Sequence, residues 1–297
     1  MEWRNIILRI SVVVTTYNGK MHLEKQLLSL LQQERAPDEV LIFDDGSTDG
    51  TIELVQSFIR KNCLESWQFY VNAKRKGWKQ NFMEGLRKAA GDIIFPCDQD
   101  DIWYPRKLAE MTAVMEQHPE IKLLACDYRV IYESGALKAT VYKKTPAETQ
   151  GLITRYGFTK HFFMNPYPGC TYAVRRDFFD AVKELWFDGS PHDEFLWLMA
   201  AVQDGAWFYN RVLMDYVRYS DNASGVRYKD VALQKENLRY IHKQLCALQS
   251  FAAEHPDAVP AERCKMLAAA QIWCAKRQKL METRSPLRWL ALAPWWG

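Results

Sequence analysis

The stretch Asp92-Ile93-Ile94-Phe95-Pro96-Cys97-Asp98-Gln99-Asp100-Asp101 passes directly from an apolar run to a cluster of carboxylates. The apolar half is typical of a buried strand. The carboxylates repel one another and are costly to remove from water unless a cation lies among them. Oxygen ligands alone favour Mg²⁺ or Mn²⁺ over zinc. A solvated acidic loop is the alternative, and this stretch taken alone does not decide between the two.

Strands and helices alternate on either side of this stretch. Runs rich in apolar and β-branched residues predict strands at Ile10–Thr15, Val40–Phe43, Trp67–Val71, Asp92–Phe95 and Ile121–Cys126. Helical spacing of apolar residues predicts the helices between them, at Met21–Gln33, Ile52–Ile59, Gly77–Ala90 and Pro105–Gln117. The alternation predicts an α/β fold in which a mostly parallel sheet carries helices on both faces.

Three polar segments follow directly on predicted strands, at Thr15–Asn18, Asp44–Asp49 and Asp98–Asp101. Ligands of open α/β sheets bind beyond the carboxyl ends of the strands, so three such segments together favour a binding site. The second segment also suits a turn with a helix N-cap, which does not explain Asp44 and Asp45 at the strand end. A carboxylate there could accept a hydrogen bond from the ring N–H of a pyrimidine base. The glycine patterns of dinucleotide folds and P-loops do not follow the first strand.

Composition narrows the class of protein. The chain has 297 residues, 48% of them hydrophobic and 25% charged, as in ordinary globular proteins. The net charge of +3 is too small to indicate nucleic acid as the main partner. The odd count of 7 cysteines without Cys-x-x-Cys spacing indicates reduced thiols. We see no signal peptide in Met1–Leu8 and no apolar run of about 20 residues, so we expect a cytoplasmic chain.

Three segments in order resemble family 2 glycosyltransferases with the GT-A fold: Ser11–Gly19, Phe43–Thr51 and Asp98–Trp103. The resemblance covers roughly residues 9 to 225. It implies transfer of a sugar from a nucleotide diphosphate donor, with inversion at the anomeric carbon. The Asp-Gln-Asp-Asp form also resembles bacterial rhamnosyltransferases that build cell-surface polysaccharides.

The resemblance also implies which residues hold the donor. It places Thr15, Tyr17, Asn18 and Asp45 against the nucleoside. It implies that Asp100 is the first choice as ligand of Mg²⁺ or Mn²⁺ on the diphosphate. Asp98 is expected to contact the metal, the sugar or the ribose, and Asp101 is a supporting candidate. Within the basic run Lys74–Lys79, Lys79 is favoured as a donor contact, although a solvated face is the alternative for most of that run.

The second half of the chain is expected to supply the acceptor side and the base. Inverting transfer needs a base that deprotonates the acceptor hydroxyl, and Asp193 in the His-Asp pair matches the family's catalytic position. Helix capping is the alternative role for Asp193, and Glu194 is the alternative base. His192 is expected to orient the base or contact the acceptor. Gly169 either lets the backbone approach the sugar or is a plain turn glycine.

The segment Tyr216–Asn222 departs from the family pattern. Relatives often carry a Tyr-Arg-x-His sequence there, whereas Val217 and Tyr219 occupy the Arg and His positions in this chain. A protein-supplied histidine ligand for the metal is therefore in doubt. Arg218 is the candidate that replaces it in contacting phosphate. Cys170 is expected to be a packed thiol, because inversion requires no covalent intermediate.

The predicted organisation is a catalytic domain at residues 1–228, divided into a nucleotide-sugar half (1–128) and an acceptor half (129–228), followed by a helical extension at 229–297. The basic and tryptophan-rich end of that extension suits contact with a membrane surface. Docking in a groove of its own chain, or of a second copy in a homodimer, is the alternative.

The sequence as a whole predicts a metal-dependent inverting glycosyltransferase of cell-envelope glycan assembly. The expected donor is dTDP-rhamnose first and a UDP-hexose second, and the acceptor is a glycan or a lipid-linked saccharide. The alternative is a non-catalytic module that binds nucleotides or glycans on the same scaffold.

Overall fold

The computed structural model describes residues 7–132, 149–159, 162–163, 165, 167–219 and 231–283. Strands occupy β1 Ile10–Thr16, β2 Glu39–Asp44, β3 Trp67–Val71, β4 Ile93–Cys97, β5 Ile102–Trp103, β6 Leu123–Tyr132, β7 Ile153–Arg155, β8 Tyr172–Arg175 and β9 Ala206–Arg218. Helices occupy α1 Lys20–Leu31, α2 Thr51–Lys61, α3 Trp78–Lys88, α4 Lys107–Gln117, α5 Arg176–Val182, α6 His192–Val202, α7 Val231–Glu254 and α8 Ala261–Thr283.

The strands within these ranges form one sheet in the order β3-β2-β1-β4-β8-β6-β9-β5, with β7 paired to β9. Strands β3, β2, β1, β4, β6 and β9 run in one direction, and β8, β5 and β7 run against them. The mostly parallel sheet predicted from the sequence is therefore confirmed. The sequence of residues 168–174 also predicts a turn and a strand, and β8 lies there. Its place between β4 and β6, antiparallel to both, was not predicted.

Alternating residues of the central strands point to opposite faces of the sheet, as the pleat requires. Val12 and Val14 of β1 pack on the face covered by α1, α2 and α4. Val13, between them, packs on the face covered by α3, α5 and α6, where buried residues of α7 and α8 also contribute. Helix α3 approaches this face closely, because a Cβ added at Gly85 would lie 2.4 Å from Val13 Cγ1. Helices on both faces give the three layers expected of an α/β fold.

The sheet brings the three polar segments together. Strand β1 pairs with β2 on one side and β4 on the other, so the loops after these strands share one edge of the sheet. The acidic turn that follows β4 is also fixed from its far side, because β5 pairs with β9 through Ile102 opposite Asp215 and Trp103 opposite Met214. The turn is thus held between two strands of the same sheet.

The C-terminal helices pack on this scaffold and share its core. Leu245, Leu248 and Leu267 are fully buried in the same cluster as residues of β1 and α6. The Arg263 guanidinium donates to the carbonyls of Ala201 and Val202 at 3.0 and 2.9 Å, at the carboxyl end of α6. The proposed boundary after residue 228 stays a prediction, since it falls outside the described ranges.

None of the helices in the described ranges combines the length and the apolar composition that a membrane span requires. The basic, tryptophan-rich tail lies beyond residue 283 and outside the described residues. Its contact with a membrane or with a second copy therefore stays a prediction.

Candidate active site

A cavity of about 910 Å³ opens at the edge of the sheet where β1, β2 and β4 end. Most of the site residues expected from the sequence line it: Thr15, Tyr17, Asn18, Asp45, Asp98, Asp100, Gly169, His192 and Asp193. The side chains come from the first half and the second half of the chain. The fold therefore brings the acidic cluster and the His-Asp pair to one space.

The carboxylates of the cavity influence one another. Removal from water, followed by the charges of Asp100 and Asp193, raises the pKa of Asp98 to about 7. The pKa of Asp101, which is 1% exposed, is raised well above its usual range by burial and then by the charges of Asp98 and Asp100. Such acids give up their protons readily only where a positive charge compensates them.

Part of that compensation comes from a buried lysine beneath the turn. Lys107 is fully buried, and its ammonium group donates to the carbonyl of Cys170 at 2.5 Å and lies 3.8 Å from the centroid of the Trp103 ring. Its charge lowers the pKa values of Asp98 and Asp101, against the larger effect of burial. One ammonium group cannot balance three carboxylates, so the cluster favours a further cation.

The donor atoms present fit a divalent cation. Among the described residues, Asp98, Asp101 and Cys170 bring their carboxylate and thiol atoms within 4.8 Å of one another. Asp101 Oδ2 is buried and has no hydrogen-bond partner in the described part of the chain. An orphaned carboxylate oxygen at a cluster of acids is what a metal would satisfy. The Cys170 sulfur lies close to both carboxylates, and burial raises the pKa of Cys170 well above its usual range, so it is present as a thiol.

Asp100 lies beside this group and makes different contacts. Tyr219 donates its hydroxyl to the Asp100 carbonyl at 3.3 Å and lowers the pKa of the Asp100 carboxyl, which burial raises. The Tyr219 ring stacks on His22 with centroids 4.2 Å apart, and both side chains line the cavity. The residue expected in place of a histidine ligand therefore stands next to the acidic turn. The rest of the segment Tyr216–Asn222, from residue 220 on, lies outside the described residues.

The loop after β1 is tied to the acidic turn and carries an aromatic ring. The Gln99 side chain accepts from the Tyr17 amide at 2.9 Å and donates to the Tyr17 carbonyl at 3.3 Å. The guanidinium of Arg75 lies over the Tyr17 ring, 3.9 Å from its centroid. A planar cation over an aromatic ring at the cavity wall can receive a planar base or a phosphate.

The two acids after β2 have different roles. Asp44 closes its own turn, because its carboxylate accepts from the amides of Gly46 and Ser47 at 3.0 and 2.7 Å. Asp45 lines the cavity and accepts from the amides of Lys76 and Gly77 at 2.7 and 2.8 Å. Asp45 thus shapes the segment that carries Arg75, and its contact with a nucleoside stays a prediction.

Asp193 lies in the first turn of α6 and faces the cavity. Burial raises the pKa of its carboxyl, while the amides of Glu194 and Gly169 donate to the carboxylate and oppose that rise. The distance from the Glu194 amide to Asp193 Oδ1 is 2.9 Å. A carboxylate with a raised pKa, held at a fixed point on a cavity wall, is suited to accept a proton from a bound hydroxyl group.

His192 is 3% exposed and lines the same wall. Its ring stacks on Phe82 with centroids 4.0 Å apart and meets the edge of Trp78 at 6.2 Å. Burial lowers the pKa of His192 to about 3, so the imidazole is neutral at pH 7. Neither ring nitrogen has a hydrogen-bond partner among the described residues. The ring therefore adds no charge to the acid cluster.

Gly169 permits the close approach of both residues of the pair. A Cβ at this position would lie 2.5 Å from His192 Nε2 and 3.0 Å from Asp193 Cβ. The glycine is therefore more than a turn residue, because the backbone of residues 169–171 packs directly on the first turn of α6.

Gly169→Ala is expected to displace His192 and Asp193 and to lower the catalytic rate about a hundredfold, because sub-ångström placement governs proton transfer. The measurement is kcat for the sugar transfer that the sequence predicts, with the melting temperature recorded alongside. Gly157→Ala is a matched control, since a Cβ there meets no atom within 4 Å. A normal rate for the Gly169 variant would contradict the assignment of this contact.

Two predicted residues lie away from the cavity wall. The Lys79 ammonium group donates to the Gly189 carbonyl at 2.6 Å, and the Arg218 guanidinium lies 5.5 Å from the Tyr216 ring centroid. Arg75 lines the cavity instead of Lys79, and nothing in the basic run distinguishes the two. His22, Trp78 and Tyr216 also line the cavity unpredicted. Each of the three lies close to the end of a strand or helix, and that end faces the site. This position is the feature of the sequence that could have indicated them.

Comparison with known proteins adds the following findings. The sequence model described as "Glycosyl transferase family 2" matches residues 11–181. The dTDP-rhamnosyl transferase RfbG of Shigella flexneri is 25% identical over 228 residues, covering 71% of this chain and 73% of that protein. The poly(ribitol-phosphate) beta-N-acetylglucosaminyltransferase TarS of Staphylococcus aureus is 28% identical over 159 residues, which are 52% of this chain and 26% of TarS.

Solved structures share the architecture. A crystal structure of S. aureus TarS 1–349 with UDP-GlcNAc superposes with a TM-score of 0.63 at 16% identity, covering 92% of this chain and 81% of that one. The mannosyltransferase PcManGT of Pyrobaculum calidifontis with GDP-Man and Mn²⁺ superposes with a TM-score of 0.53 at 17% identity, covering 98% and 80%. At these identities the likeness shows the fold alone.

Proposed function

The chain belongs to glycosyl transferase family 2, and from this we propose that it transfers a sugar from a nucleoside diphosphate donor to a saccharide acceptor with inversion at the anomeric carbon. The observation that carries the proposal is the cavity shared by Asp98, Asp100 and Asp193. These acids come from opposite halves of the chain, and the charges of Asp100 and Asp193 both raise the pKa of Asp98. A non-catalytic module would need no such concentration of ionisable groups.

In the proposed reaction Asp193 is the base. Its carboxylate takes the proton of an acceptor hydroxyl while the hydroxyl oxygen forms a bond to the anomeric carbon. The bond between that carbon and the diphosphate oxygen breaks, and the diphosphate leaves with the electron pair. Burial raises the pKa of Asp193, which strengthens it as a base. Glu194 is less suited, because its carboxylate already accepts from Tyr240 at 2.7 Å.

Asp98, Asp100 and Asp101 are the residues that would hold Mg²⁺ or Mn²⁺. A bound divalent ion would neutralise charge that develops on the leaving diphosphate. Tyr17 and Arg75 also line the cavity and suit the base and the phosphates of the donor, through ring stacking and a planar cation. The role of Gln99 is to keep the Tyr17 loop and the acidic turn at a fixed spacing.

The donor proposed first is dTDP-rhamnose, and a UDP-hexose is proposed second. The likeness to a dTDP-rhamnosyl transferase over 71% of this chain supports the first, and the likeness to TarS supports the second. Both relatives support a role in cell-surface polysaccharide synthesis. The acceptor that we propose is a glycan or a lipid-linked saccharide.

A panel of nucleotide sugars tests the proposal. With Mn²⁺ present, we expect dTDP-rhamnose to raise the melting temperature most, because the nucleotide sugar that binds best stabilises the folded state most. A ligand at a hundred times its Kd contributes about 2.7 kcal/mol. Transfer or slow hydrolysis of the same nucleotide sugar, followed by chromatography of the released nucleotide, then shows catalysis. Binding without turnover on any acceptor would favour the non-catalytic module, and absence of binding by every nucleotide sugar would overturn the proposal.

A further inference from the structure

Helix α7 contacts the first turn of α6, which carries the proposed base. Tyr240 donates its hydroxyl to Glu194 Oε2 at 2.7 Å, and Glu194 is the chain neighbour of Asp193. Gln244, one turn further along α7, donates its side-chain amide to the Tyr240 oxygen at 2.5 Å and to Ser190 Oγ at 3.3 Å. Two polar side chains of α7 thus bind a residue just before α6 and a residue in its first turn.

The contact is buried at its Ser190 end and partly buried at Glu194, so its hydrogen bonds are costly to lose. Gln244 is 1% exposed and Ser190 is fully buried. The Tyr240 oxygen accepts from Gln244, so its own hydrogen is available for Glu194. The Tyr240–Glu194 bond is partly buried and its acceptor is a carboxylate, and hydrogen bonds to charged groups are stronger than those between neutral groups.

The segment before α6 is held from the other side as well. Trp186 donates its indole N–H to the Ser190 carbonyl at 3.0 Å, and the Lys79 ammonium group donates to the Gly189 carbonyl at 2.6 Å. Helix α7 therefore completes a set of contacts around residues 189–194. The position of Lys79, which is not on the cavity wall, is explained by this role.

Glu194 is the residue through which α7 reaches the base. Burial raises the pKa of its carboxyl, the Tyr240 hydroxyl lowers it, and the charge of Asp193 raises it further. Lys79 is the cation that faces both acids. Without Tyr240, the Glu194 carboxylate would lose its donor beside a like charge, and it would turn or take up a proton. Either change disturbs the neighbouring Asp193.

We propose that Tyr240, supported by Gln244, is a positioning residue that fixes Glu194 and so holds Asp193 in its productive orientation. The inference rests on the proposed function in taking Asp193 as the base. In this proposal, helix α7 contributes to the function of the active site. It also explains why Asp193 rather than Glu194 is free to accept the acceptor proton.

The test is Tyr240→Phe, which removes one hydroxyl group and keeps the ring. We expect kcat for transfer to fall about tenfold with the donor KM unchanged, because positioning of the base affects the chemical step alone. Glu194→Gln is expected to act similarly, and the double variant is expected to be no slower than either single variant. Tyr70→Phe is the matched control, since the Tyr70 hydroxyl contacts only the exposed Gln68 side chain among the described residues.

A second measurement does not depend on catalysis. Hydrogen exchange of the amides in the first turn of α6 is expected to be about tenfold faster in Tyr240→Phe and unchanged in Tyr70→Phe. If wild-type protein turns over no nucleotide sugar, the proposed function fails while the exchange result still tests the contact. Unchanged exchange, a rate equal to that of Tyr70→Phe, or multiplied effects in the double variant would each overturn the proposal.

Discussion

Asp193→Asn is expected to reduce kcat for sugar transfer by about a thousandfold while donor affinity stays within about twofold. The asparagine has nearly the same shape but cannot take up a proton, and general bases contribute about 10²- to 10⁴-fold to rate. Asp193 lies at the first turn of α6 with its carboxylate held by backbone amides, so the substituted side chain keeps its place. The measurements are steady-state transfer kinetics and calorimetric titration with the nucleotide sugar.

Glu194→Gln is the matched control for this substitution, since it neutralises the adjacent acid in the same turn. Its expected loss is about tenfold, which separates an orienting neighbour from the base. Transfer by Asp193→Asn at a rate near that of wild type would show that the base lies elsewhere. A thousandfold loss in Glu194→Gln alone would move the assignment to Glu194.

Asp100→Ala is expected to abolish the metal dependence of donor binding and to lower kcat/KM by at least about a hundredfold. After burial, the charge of Asp100 raises the pKa values of both Asp98 and Asp101, as expected of acids that await a cation. Loss of one carboxylate removes a ligand or its neighbouring charge, so the cation no longer joins the protein to the diphosphate. The measurement is donor Kd with Mn²⁺ and with excess chelator, for wild type and variant.

The control for this loss is Asp257→Ala, an exposed acid in the turn between α7 and α8. In this variant the difference in donor Kd between Mn²⁺ and excess chelator is expected to be as large as in wild type. If Asp100→Ala also keeps that difference, Asp100 is not part of the metal site. The pair of Asp98 and Asp101, whose ligand atoms lie close together with that of Cys170, would then be the site to substitute next.

The architecture was predictable from the sequence because alternation of strands and helices leaves few topologies. The expected GT-A fold, with helices on both faces of a mostly parallel sheet and a helical C-terminal part, is confirmed. Strand β8 could not be predicted in its place, because Tyr172–Arg175 is four residues long and its partners are set by the free edge of β4. Periodicity indicates which face a strand buries, and it carries no information about which edge the strand joins.

The candidate site was predictable to the extent that it follows strand ends. Asp98 and Asp193 lie far apart in sequence, yet both were expected at the cavity and both line it. That Arg75 lines the cavity was not predictable, because its neighbours in the basic run carry the same charge. Only the turn that Asp45 fixes through the amides of Lys76 and Gly77 places Arg75 at the cavity. Tyr240 was missed since its apolar neighbours on α7 predict packing and give no sign of a hydrogen bond to α6.

The contacts that α7 and α8 make at opposite ends of α6 also determine the order in which the site is completed during synthesis of the chain. Tyr240 and Gln244 reach its first turn, and Arg263 binds the carbonyls at its last. Roughly 70 residues separate Asp193 from Arg263, so at ribosomal speeds about ten seconds pass between the synthesis of the proposed base and of its last support. A nascent chain in that interval has Asp98 and Asp100 but lacks the contacts that fix Asp193. If Asp193 is the base, catalytic competence arrives only after α7 and α8 have been made.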